Sequence, residues 1–284
     1  MIERIADSIC ITNTYFAALC REGGVWNALL THFGWKKPWV AGLDAKTAFE
    51  MLRNLPPPKL DYFLEWDEYT KSIHPRAFEN CHELQLTKLP PNVTSIQSDA
   101  FLGCRALALT ALPSKTELIL SNTFNGCEKL ALTTLPVGIQ YIGPQAFYGC
   151  KNITLTALPA SVGAIGSYTF FGCEKLALTA LPDTLIGIGI SAFTFCKNIT
   201  LTALPASIKT INEHTFFGCE KLALTTLPPD LSLIGDMAFA GCHNLALTSL
   251  PPNLNNIGKY AFQGCTNLPP HVQNAIKNIN QFAM

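Results

Sequence analysis

Nine cysteines fall at one invariant spacing: Cys81, Cys104, Cys127, Cys150, Cys173, Cys196, Cys219, Cys242 and Cys265 each lie 23 residues after the last. Self-similarity at a fixed short period marks a solenoid, and it constrains this chain more tightly than any other feature. Residues 81–264 hold eight full coils. A coil of this size cannot bury its apolar side alone, so each coil must be stabilised by its neighbours.

With each Cys counted as position 0, the coil reads C-x-x-(L/I)-x-L-T-x-L-P-x-x-(L/I/V)-x-x-I-G-x-x-(A/T)-F-x-G. Position +3 is Leu84, Leu107, Leu130, Ile153, Leu176, Ile199, Leu222 and Leu245; position +20 is Phe in every coil from Phe101 to Phe262. This pattern resembles the BspA-type leucine-rich repeat over residues 73–268. The fold class implied is an α/β repeat: a leucine-rich-repeat solenoid of 23-residue coils with a parallel sheet. Its apolar residues stack on their counterparts about 4.8 Å away along the axis.

The other repeat positions carry further expectations. Pro at +9, from Pro90 to Pro251, lacks an N–H and should end a short parallel strand. Gly at +22 should supply a positive φ. Asn80 can fill that role; Phe195 cannot, so the coil around it should be distorted. Thr116 stands where an apolar residue is expected, and Leu120 where Gly is usual. The aliphatic residues at +3 and +5 share one strand face, the leucine at +8 has the opposite parity, and between them Thr occupies +6 in every coil, from Thr87 to Thr248. Either the strand bulges there or one ladder faces solvent. A buried ladder of hydroxyls bonded to the backbone is the favoured reading.

A second period of 46 residues is superimposed. KNITLTALPAS occurs at 151–161 and 197–207, and TFFGCEKLALT at 169–179 and 215–225. The +1 column then alternates Glu128, Lys151, Glu174, Lys197 and Glu220, while Lys and Asn alternate at +2 from Lys129 to Lys221. Stacked coils would set opposite charges side by side on a solvated face.

The charges balance, with 20 Lys+Arg against 20 Asp+Glu, so no basic excess points to nucleic acid or anionic lipid. No run approaches the ~18 apolar residues of a membrane helix. The start, MIERIADSIC, lacks a signal peptide's basic and apolar regions. A cytoplasmic protein is expected. Nine cysteines in one repeat slot read as packing residues, not nucleophiles. The six histidines lack zinc-ligand spacing. Asn92, Asn152 and Asn198 begin N-x-T sequons that fall out of the repeat consensus. No phosphate loop, nucleophile elbow or carboxylate pair occurs, so no catalytic, cofactor or metal site is expected.

All four tryptophans, Trp26, Trp35, Trp39 and Trp66, precede the array. Helical spacing of Ile2, Ile5 and Ile9, and caps at Asn13 and Asp44, predict a small helical region over 1–66, an array over 67–268 and a cap over 269–284. The stretch with Ile9, Cys10, Asn13, Phe16, Leu19, Cys20, Trp26, Leu29, Leu30, Phe33 and Gly34 resembles short F-box-like segments. That resemblance implies binding to a Skp1-type adaptor through Trp26 and Leu30; the plainer role is to cap the first coil.

In the array, the columns around the threonines are bland, so binding should draw on the coil edges. Tyr141, Tyr168, Phe171, His214, Phe217 and Tyr260 are the candidates there. The expected function is a non-catalytic protein-binding scaffold, a substrate receptor for a ubiquitin-ligase adaptor. The alternative is a secreted or surface host-interaction protein.

Overall fold

The structure, a computed structural model, describes residues 71–82 and 84–284. The helical region expected over 1–66, with Trp26 and Leu30, lies outside the described residues.

Every coil contributes one two-residue strand. In chain order these are β1 (Ser72–Ile73), β2 (Ser95–Ile96), β3 (Leu118–Ile119), β4 (Tyr141–Ile142), β5 (Ala164–Ile165), β6 (Gly187–Ile188), β7 (Thr210–Ile211), β8 (Leu233–Ile234) and β9 (Asn256–Ile257). They pair in parallel, each residue opposite its counterpart 23 positions on. The register keeps every Ile at +15 buried while +14 faces outward.

This strand is not where the spacing placed it. The stretch ending at Pro +9 is irregular, although it too bonds between coils, as in Ala131 N–H to the Leu109 carbonyl (3.0 Å). The leucines at +3, +5 and +8 all turn inward despite their mixed parity, because irregular backbone need not alternate. The threonines at +6 are all exposed, which corrects the expected buried ladder. Some of their hydroxyls bridge coils on the outside, as Thr248 Oγ1 does to the Thr225 carbonyl (3.3 Å).

The α/β expectation also needs correction. The segments opposite the strands are turns, and the one helix among the described residues is α1 (Pro270–Ile279), after the last coil. It buries Val272 and Ile276 against the array end. The chain after it completes the stack, with Tyr260 and Phe262 N–H groups donating to the Phe282 and Ala283 carbonyls (2.6 and 2.7 Å).

The core is a set of columns. Phe78 and the eight Phe residues at +20 form one stack with ring centroids 5.1 to 5.6 Å apart. Burying one such ring contributes about 1.5–3 kcal/mol, and offset stacking adds about 0.5–1.5 kcal/mol per pair. Beside it runs the cysteine column. Each thiol from Cys104 to Cys265 donates to the carbonyl of the Phe 26 residues earlier, at 2.9 to 3.1 Å. Thr116, the misfit at +12, is fully buried and donates to the Val93 carbonyl (3.2 Å).

The sheet is interrupted once. Strands β1 to β6 form one sheet and β7 to β9 another. Elsewhere the backbone N–H at +16 donates to the preceding coil's Ile carbonyl, as Gly189 does to Ile165 (2.9 Å) and Gly235 to Ile211 (2.7 Å). At the gap the residue is Asn212, and its side-chain Nδ2 takes the Ile188 carbonyl instead (2.7 Å). A Cβ at Gly189 would come within 2.4 Å of the Ser167 backbone nitrogen, so a side chain at this position pushes on the coil below. The other faces of this coil pair stay joined, for example through Phe193 N–H to the Thr215 carbonyl (2.9 Å).

Candidate protein-binding surface

Residues +17 to +22 form the turn edge of the solenoid. Three backbone bonds per coil tie it to the next coil, donated by +18, +20 and +22, as in Tyr168 to Ile190, Phe170 to Ala192 and Gly172 to Thr194 (all 2.8 Å). The donors at +18 and +22 are left-handed, and the Phe between them at +20 is not. The expected positive φ at +22 is present, from Asn80 (+60°) through Gly172 (+69°). Phe195 adopts it too, at +59°, and its N–H still reaches the Phe217 carbonyl at 2.7 Å. The turn at Phe195 is therefore undistorted, contrary to expectation; the irregularity of this coil pair lies on the strand face, at Asn212. Position +18 is also left-handed in every coil, at +51° to +60°, with no glycine among its residues.

Phe195 decides the character of this edge. The +21 column carries Tyr148, Phe171, Thr194 and Phe217 in four successive coils. Thr194 is buried and donates to the His214 carbonyl (2.6 Å), which would leave a gap in the aromatic row. The Phe195 ring fills it, lying over the Gly218 backbone. The result is a continuous ridge. Tyr148 stacks on Phe171 at 4.6 Å; Phe171 meets Phe195 edge-on at 5.7 Å; Phe195 meets Phe217 at 5.2 Å. Tyr168 flanks Phe171 and His214 flanks Phe217, at 6.2 and 5.8 Å. Exposed Ile190 accepts the Tyr168 N–H and extends the apolar surface.

Four of the candidate residues, Tyr168, Phe171, His214 and Phe217, thus come together. Tyr260 shares their edge but lies two coils beyond His214, outside the ring contacts. Tyr141 lies elsewhere, on β4 beside exposed Leu118 of β3. Tyr148, Ile190 and Phe195 belong to the ridge and were not among the candidates. The signal for Phe195 was present in the sequence: a large aromatic in a glycine column indicates a surface ring as readily as a fault.

The charge column borders the ridge, three residues further along the chain past the inward Cys. Lys151 pairs with Glu128 (3.6 Å) and Lys197 with Glu220 (3.4 Å), all about half exposed. Such pairs contribute under about 1 kcal/mol each. The Glu174 carboxylate, at the centre, enters no ion pair among the described residues. The sequon residues are structural: Asn152 donates to the Glu128 carbonyl (2.9 Å) and accepts from Lys175 (2.8 Å), and Asn198 repeats this with Glu174 and Lys221.

The eight cysteines of the column from Cys104 to Cys265 are poorly placed to act as nucleophiles. They are free, buried thiols, and burial pushes Cys104 and Cys265 up to about 12, where almost no thiolate exists near neutral pH. Among the described residues no group of three His, Cys, Asp or Glu side chains could hold a metal ion, and no helix is long and apolar enough to cross a membrane.

Comparison with known proteins agrees with this architecture. The model of the family described as "BspA type Leucine rich repeat region (6 copies)" matches residues 62–177 and 140–269. The chain belongs to this family. A solved leucine-rich repeat protein from T. pallidum is 28% identical, over 69% of this chain and 80% of that one, with a TM-score of 0.44. A leucine-rich cell surface protein of Faecalibacterium prausnitzii is also 28% identical, over 71% of this chain and 64% of that one, with a TM-score of 0.48. The pneumococcal vaccine antigen PcpA is 19% identical, over 66% and 57%, with a TM-score of 0.45. No curated protein matches the chain.

Proposed function

We propose that this leucine-rich-repeat protein is a non-catalytic scaffold that binds protein through the aromatic ridge on its turn edge. The observation that carries this reading is the run of contacting, partly exposed rings from Tyr148 to Phe217, where Phe195 replaces the repeat's glycine. Exposed aromatics are the side chains that concentrate binding energy at protein interfaces, commonly more than about 2 kcal/mol per anchor. The opposite candidate, the exposed face of Thr +6 and its Ala, Thr or Ser neighbour, offers no such anchor.

The finer reading, a substrate receptor in the cytoplasm that engages a Skp1-type adaptor, rests on the F-box-like resemblance of residues 9–34. It assigns substrate capture to the ridge and adaptor binding to Trp26 and Leu30.

The test is quantitative affinity capture with full-length wild-type protein, the double variant F171A/F217A and the opposite-face variant T156A/T202A. Partners retained by wild type and by T156A/T202A but lost from F171A/F217A support the ridge. Partners lost only from T156A/T202A refute it. The adaptor reading adds a direct binding measurement to a Skp1-type protein, which W26A and L30A should abolish; unchanged binding or no binding ends that reading.

A further inference from the structure

We infer that the ridge receives a second copy of this chain, arranged antiparallel about a two-fold axis between the Cys173 and Cys196 coils. This rests on the reading of the ridge as a protein-binding surface and names one partner for it.

The argument starts from symmetry. In a two-fold dimer the same patch meets itself, so the patch must be self-complementary. When the axis lies in the interface and perpendicular to the solenoid, it reverses the coil order and sets each column against its own copy. The +1 column across the ridge reads Lys151, Glu174, Lys197, Glu220. Reversal sets Glu174 opposite Lys197 of the second copy and Lys151 opposite its Glu220. Every facing pair is then of opposite charge, four pairs in all with their symmetry mates. An axis passing through a coil, half a step to either side, fails: about Lys197, for instance, the column would set Glu174 against Glu220 and Lys197 against itself. Like charges brought together at an interface are strongly disfavoured.

The charges fit any axis midway between coils, and the apolar part selects one of these. Tyr148 and Phe217 end the ridge, with Phe171 and Phe195 between them. The axis midway between the Cys173 and Cys196 coils exchanges Tyr148 with Phe217 and Phe171 with Phe195. The left-handed column agrees, since exposed Tyr168 falls opposite small, buried Ser191. Glu174, without an ion pair among the described residues, gains Lys197 of the second copy. The 46-residue doubling that alternates these charges thereby makes the surface its own complement.

The patch spans four coils, roughly 15–20 Å of axis at about 4.8 Å per coil. That is short for a stable interface burying about 800 Å² per partner. Self-association is accordingly weak, with dissociation constants in the micromolar range or above.

The test is sedimentation velocity on the full chain across rising concentration, at low and high salt. Wild type dimerises reversibly, and salt weakens the dimer. E174K sets Lys against Lys197 of the second copy twice per dimer, and K197E sets Glu against Glu174 twice; each weakens self-association about tenfold or more. Mixing E174K with K197E makes both central contacts favourable again, so a heterodimer forms where neither variant self-associates. Circular dichroism melting confirms that both variants are folded. Monomeric wild type at all concentrations, or a mixture no more associated than its components, overturns the inference. If F171A/F217A then still loses captured partners, the ridge remains a protein-binding surface for another chain; if capture is unchanged as well, both readings fall.

Discussion

Two glycines in one strand segment should respond oppositely to the same substitution. Gly187 lies on β6 with no atom within 4 Å of where its Cβ would stand. Gly189, two residues on, would place its Cβ 2.4 Å from the Ser167 nitrogen, 2.5 Å from the Gly166 carbonyl carbon and 2.6 Å from the Ser167 Cα. All three are backbone atoms, so no side chain can swing aside. G187A should be neutral or stabilise by up to about 0.5–1 kcal/mol, since Ala loses less conformational freedom on folding than Gly. G189A must separate the two coils, and overpacking of this kind costs about 1–3 kcal/mol. The stack can yield to this extent, because Gln97 and Leu120 occupy the same column and keep their backbone bonds at 3.0 and 3.2 Å. Urea denaturation followed by circular dichroism gives both values. The two variants should differ by roughly 1–4 kcal/mol, with G189A also speeding exchange of its amide to the Ile165 carbonyl. Equal stabilities would refute the claim that the glycine column is set by close approach between coils.

Truncating the middle of the ring stack, as in F147A, should cost about 3–5 kcal/mol by chemical denaturation, because Phe147 is fully buried between Phe124 and Phe170. The eight free thiols should react with a thiol reagent only at the rate of unfolding; rapid labelling of the native protein would contradict their burial. Raised thiol pKa values also set an alkaline limit. Cys104 and Cys265 move from 9.0 to about 12 on folding, so the folded chain holds protons the unfolded chain has lost. Their stabilising contribution is complete below pH 9 and falls away between about pH 9 and 12. Melting temperature should decline across that window, and less steeply in C104A/C265A.

The spacing of Cys, Leu and Phe made the solenoid legible, because every coil buries the same side chains. It did not reveal where the strand lies. The leucine-rich stretch looks most like a strand, yet the paired residues are +14 and +15, where only the Ile recurs. The threonine ladder was misjudged by the same route: alternation is a rule for regular strands, and this backbone is irregular. Left-handed geometry at +18 left no trace, since its residues range from Asp99 to Tyr260 with no glycine among them. The sheet gap at Asn212 depends on a side chain taking over a backbone bond. Composition alone could not foresee that.

The surface was half legible. Tyr168, Phe171, His214 and Phe217 stood out as large residues at variable edge positions, and the structure brings them together. Tyr141 stood out equally and lies on another face, because distance along the repeat does not say which way a side chain points. Phe195 looked like an error in the pattern and proves to be the ring that joins the ridge.

The central claim is that binding occurs on the turn edge, and hydroxyl-radical footprinting of the free and bound protein tests it most directly. The account predicts that Tyr148, Tyr168, Phe171, Phe195 and Phe217 become protected together when the partner binds, while Tyr141 and Leu118 on the strand face react as before. Protection of Tyr141 and Leu118 with the ridge unchanged would contradict it.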